Sequence, residues 1–160
     1  HAENAAVCEE GDPAAGRTKP FFVVSQRYAA ENPGAPHWAK RQIGSFLRSH
    51  LKKHRIPEQY IESIDVPCIT PAGLLRKPGL PIRDVDVLMV DAEGLDAQLV
   101  RGFLAVQGLR PSLVIFEHQH LPRVLVQGVQ SDLQEHGYDL GRYGTNTVAL
   151  RNDALGHQVL

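Results

Sequence analysis

The stretch VDVLMVDAEGLD, residues 85–96, reads as a strand that ends on an acid and turns into a helix. Val85 to Val90 is a mostly continuous apolar run, the pattern of a strand covered on both faces. Leu95 to Gln107 continues as a helix, with Leu95, Leu99, Phe103 and Val106 near one face. Ser112 to Phe116 (SLVIF) repeats the buried-strand pattern, and Val124 to His136 forms a second helix closed by Gly137. Tyr138 to Tyr143 and Asn146 to Leu150 are two closing strands joined through Gly144. Strand–helix–strand–helix–strand–strand predicts an α/β sheet that is mostly parallel, with an antiparallel hairpin at its end.

Working upstream, Thr70-Pro71 has the form of an N-cap followed by proline at the first helical position, opening a short helix over Ala72 to Arg76 that Pro78 and Pro81 stop. Ile61 to Ile69 alternates as a strand, and Pro67 confines it to an edge or ends its pairing. Phe21 to Ser25 (FFVVS) is another strand, and Glu3 to Cys8 a short one. Glu9 to Lys19 and the proline-bearing Ala29 to His37 are irregular. Trp38 to Arg55 is helical in pieces, interrupted at Gly44 and Ser45.

The 160 residues are enough for one domain, and a hydrophobic fraction of 42% with 22% charged is ordinary for a globular protein. A net charge of −1 gives no global attraction to nucleic acid or to an anionic membrane, and neither is an expected partner. No apolar run approaches the roughly 18 residues of a membrane span, and no signal peptide is visible. Cys8 and Cys68 lack a CxxC spacing and read as reduced thiols, which places the chain in the cytoplasm.

Ligands of open α/β sheets bind beyond the carboxyl ends of the strands. That rule selects Asp91-Ala92-Glu93-Gly94 after one strand and Glu117-His118-Gln119-His120 after the next. Neighbouring strands would bring these ends within about 5 Å, giving a general base or a place for a divalent cation. The plainer alternative is structural. Asp91 or Glu93 would cap the following helix, and Gly94 would supply an unusual dihedral. His50 and His54 stand at i, i+4, a spacing that presents two ligands on one helix face, but no third ligand is in register. The basic run Arg48 to Arg55 is a solvated face or a clamp for an anion.

Residues 85–96 resemble the signature strand and turn of the FkbM-type methyltransferases, and Arg110 to Leu121 (RPSLVIFEHQHL) resembles that family's next strand. Gly137-Tyr138 with Asn146 to Ala149 is similar to its closing hairpin. Asn4 to Val7, Phe21 to Ser25, Ile43 to Phe46 and Val66 to Thr70 follow its order upstream. The resemblance implies a Rossmann-like class I methyltransferase fold over residues 1–160, with 29–60 as a substrate-side insertion. It implies S-adenosyl-L-methionine as cofactor and O-methylation of a sugar or other small-molecule hydroxyl. Asp91, Glu117 and His118 would be catalytic, and Asp91, Ala92 and Glu93 would touch the cofactor. Trp38, Ser45, Phe46 and His120 would meet the substrate. A divalent metal is not required by this reading; if one is used, Asp91 and Glu117 would hold it.

The family's opening strand with its glycine-rich loop, and the second strand ending in an acid, have no counterpart here, since the first residues already resemble the third strand. The fold is therefore expected to be truncated at its N-terminal side. The Asp91 strand would then have an open edge, and the isolated chain would hold the cofactor weakly. Two rivals follow: a non-catalytic binding or scaffold domain completed by a partner or a homo-oligomer through that edge, and a metal-dependent hydrolase built on Asp91, Glu117 and His118.

Overall fold

The computed structural model describes residues 3–76 and 81–154; the helix stop expected at Pro78 lies outside them. The chain divides into two compact units, one of His1–Ala6 with Ala14–Cys68 and the other of Val7–Pro13 with Ile69–Leu160. Each carries a four-stranded sheet.

In the first unit the sheet order is β1-β4-β2-β3. β1 is Ala6–Val7, β2 Thr18–Val24, β3 Gly44–Ser45 and β4 Ile61–Ile69. β2 and β4 run antiparallel from Thr18↔Pro67 to Val24↔Ile61. Pro67 neither confines β4 to an edge nor ends its pairing: β4 is an inner strand, and beyond Pro67 the Cys68 amide donates to the Arg17 carbonyl at 2.8 Å. Helix α1, Gln26–Glu31, occupies part of the stretch expected to be irregular; the Ser25 hydroxyl accepts from the Arg27 amide at its start. The interrupted helix over 38–55 resolves into α2, His37–Arg41, then β3, then α3, Arg48–Lys53. Gly44 is required at the interruption, because a Cβ there would come 2.5 Å from the Phe21 ring. Ile43, Leu51, Ile56, Tyr60 and Ile61 form the core, with Phe22, Val24 and Tyr28 packed against it.

The second unit opens with α4, Pro71–Leu75, where the Thr70 hydroxyl accepts from the Gly73 amide at 3.1 Å. Then come β5 (Val87–Val90), α5 (Asp96–Leu104), β6 (Leu113–Glu117), α6 (Arg123–Glu135), β7 (Tyr138–Tyr143) and β8 (Asn146–Arg151). The sheet order is β5-β6-β8-β7. Only β5 and β6 are parallel; β8 runs antiparallel to both β6 and β7. The mostly parallel sheet expected from the alternation is thus corrected to a mixed α/β arrangement. After α6 the chain lays β7 on the outside and returns through Gly144 (φ +58°), and the returning β8 takes the place beside β6.

A second correction concerns β5. Leu88 and Val90 are buried, but Val87 is 55% and Met89 69% exposed. Helix α5 packs on β5 and β6, and the buried set Leu88, Val90, Val114, Phe116 and Ala149 marks the covered face. β5 stands last in the sheet order with β6 its one neighbour there, and its alternating burial shows that only one of its faces is covered.

A third concerns the cysteines. Neither is a free thiol; both are disulfide-bonded. The argument from reduced thiols to a cytoplasmic location falls with that reading. Among the described residues no helix is long and apolar enough to cross a membrane.

Candidate functional site

The parallel register pairs Val90 with Phe116, so the next step along both strands sets Asp91 beside Glu117. Side chains alternate along a strand. Asp91 therefore continues the exposed row of Val87 and Met89, and Glu117 the half-buried row of Leu113 and Ile115. Both carboxylates stand on the sheet face away from α5, at the carboxyl rim.

The turn that follows β5 is tied by Asp96. Its two carboxylate oxygens accept from the Ala92 and Gly94 amides, each at 3.1 Å, and the residue is 1% exposed. The N-cap position of α5 is Leu95, which makes no side-chain cap bond, and Asp96 instead closes the turn that precedes the helix. Gly94 has φ +103°, the unusual dihedral anticipated for it, and Glu93 beside it has φ +50°. A left-handed residue with a Cβ costs about 1–2 kcal/mol, so the surrounding turn holds Glu93 in this conformation.

Ligand atoms of Glu93, Glu117 and His120 all lie within 4.8 Å of one another, close enough to share one cation. His120 Nε2 is 3.9 Å from Glu117 Oε2. Burial pushes the Glu93 carboxyl up, and the charges of Asp91 and Glu117 push it further. Glu117 is likewise raised, first by burial and then by Asp91, against the lowering influence of His120.

These shifts fix the sign of a pH effect. A carboxyl raised in the folded state holds a proton that the unfolded chain releases. Native stability is then fully present below roughly pH 4, the ordinary glutamate value, and declines as pH climbs through the raised values. Glu93→Gln is expected to raise the thermal midpoint at pH 7–8, with the gain vanishing below about pH 4. Thermal denaturation of both proteins across that range checks it, and a variant less stable at neutral pH contradicts it.

His118 goes elsewhere. Its amide still pairs with the Thr145 carbonyl (2.9 Å), so it extends the row of Val114 and Phe116 on the opposite face from Glu117. There its Nδ1 lies 3.1 Å from the Thr147 hydroxyl, to which the Gln130 side-chain amide donates at 3.3 Å. Burial lowers the His118 pKa, and the Arg142 cation lowers it further.

The residues singled out in the first unit are placed as follows. Trp38 is 43% exposed, with its ring centroid 5.4 Å from that of His54. Ser45 is buried, and its hydroxyl accepts from the Leu47 amide at 3.0 Å. The Phe46 ring meets Phe21 edge-on at 5.2 Å, with the Lys19 ammonium 4.7 Å from its centroid. His50 and His54 do share one face of α3, their rings 4.6 Å apart. In the basic run, Arg48 and Lys52 both pair with Glu58, whose carboxyl is lowered chiefly by Lys52. Those two cations form a surface ion network.

Three functional candidates were not legible in advance: Asp96, Thr147 and Gln130. Asp96 sat in the quoted stretch, and its place two residues after Gly94 was the available signal. Thr147 and Gln130 gave none, because their relation to His118 exists only once β6, β8 and α6 are assembled.

A family model described as "Methyltransferase FkbM domain" matches residues 18–140. No curated protein matches the chain, and no solved structure matches it.

Proposed function

Because the chain belongs to the FkbM methyltransferase domain family, we propose that it is an S-adenosyl-L-methionine-dependent O-methyltransferase acting on a sugar or other small-molecule hydroxyl. The observation that carries this reading is the register of β5 and β6, which sets Asp91 and Glu117 side by side at one rim.

The donor set suits the cofactor. A sulfonium is a cation, and Asp91, Glu93 and Glu117 make a rim of carboxylates. Asp91, Ala92 and Glu93 would hold the cofactor, which supplies an already activated methyl group. What remains for the chain is alignment and proton removal. Glu117, raised by burial and by its neighbour Asp91, is the better proton acceptor at neutral pH and takes the substrate hydroxyl's proton. Asp91 contributes negative charge beside the reacting centre. His120 stands near Glu117, its Nε2 3.9 Å from Oε2.

Calorimetric titration of the protein with S-adenosylhomocysteine tests the reading. Saturable heat is the expected result, and with S-adenosyl-L-methionine, whose sulfonium is cationic, Asp91→Asn is expected to weaken it. Absence of heat with the unaltered protein removes the proposal.

A further inference from the structure

The Thr147 hydroxyl is buried (1% exposed) and touches two side chains, Gln130 through Nε2 and His118 through Nδ1. An amide nitrogen can only donate, so Thr147 Oγ1 accepts from Gln130. Of the two side chains that Thr147 touches, only His118 Nδ1 can take its single hydroxyl proton, and the direction of that bond goes with the ring's tautomer. A neutral imidazole that accepts at Nδ1 carries its proton on Nε2. Leaving the buried hydroxyl proton without an acceptor is costly enough to bias the ring by about tenfold or more.

We propose that Gln130 and Thr147 are positioning residues that set the tautomer of His118, leaving Nε2–H as the ring's donor. Arg142, paired with Thr147 across β7 and β8, supplies a cation near the ring that opposes its protonation.

Long-range nitrogen–proton NMR of His118 in the chain, without cofactor, reads the tautomer directly. The Nε2–H form is expected. Gln130→Glu replaces the donor with an acceptor, draws the Thr147 proton away and is expected to invert His118 to the Nδ1–H form. Thr147→Val is expected to relax it to the mixture of free imidazole, and Thr147→Ser to restore it. Gln130 is half-buried on α6, so Gln130→Glu reads the same chain of bonds without altering the buried Thr147. An Nδ1–H ring in the unaltered protein, or a ring indifferent to Gln130→Glu, overturns the proposal. Since no cofactor is involved, failure to bind S-adenosylhomocysteine would remove the methyl-transfer reading and leave this one standing.

Discussion

Glu117→Gln is expected to lower kcat for methyl transfer by about 10²- to 10⁴-fold, the usual span for loss of a general base, with a smaller loss of cofactor affinity than Asp91→Asn. The amide keeps the size and one acceptor of the carboxylate but has no basic oxygen. Asp91→Asn should lower both affinity and turnover, because the charge it removes faces a cation in the bound state and beside the reacting centre. The two variants thus separate by the ratio of their effects on binding and on kcat, measured with labelled cofactor under single-turnover conditions. The stability of Glu117→Gln should move the opposite way. Burial and Asp91 penalise the ionised Glu117, so neutralising it is expected to strengthen the fold at pH 7 as it disables the enzyme. An active Glu117→Gln assigns the base elsewhere.

Phe116→Ala is expected to cost about 3–5 kcal/mol, the range for emptying a buried phenylalanine site. Phe116 is 0% exposed on β6, paired with Val90 on one side and Thr147 on the other. The loss is a large part of the stability of a typical domain, about 5–15 kcal/mol. Met89→Ala on the neighbouring strand should change stability by no more than about 0.5 kcal/mol, since its side chain is 69% exposed. Denaturant unfolding of both variants checks the contrast. Equal losses would mean that the second face of β5 is covered.

That contrast marks where the sequence stopped being informative. Val87 and Met89 are apolar, and an apolar run cannot say whether one or both faces of a strand are covered; the burial pattern of β5 answered it. The hairpin after Gly137 was legible from its turn chemistry, but whether β7 or β8 lies next to β6 is decided by packing, and β8 takes that place. Caps were read well because they are local: Thr70 and Pro71 open α4, and Gly137 (φ +83°) closes α6. Asp91 and Glu117 were legible because strand ends and a parallel register are simple geometry. His118 was not, since a one-residue step moves a side chain to the other face of a sheet. The disulfide state of the two cysteines escaped the spacing argument, which considered only local motifs.

The account rests on Asp91 and Glu117 acting at one place. A double-mutant cycle of Asp91→Asn and Glu117→Gln on methyl transfer measures this most directly. Neighbouring groups of one centre are expected to couple by about 0.5–3 kcal/mol, so the double variant should lose clearly less than the product of the single losses. Losses that multiply would place the two carboxylates in separate roles and contradict a shared rim.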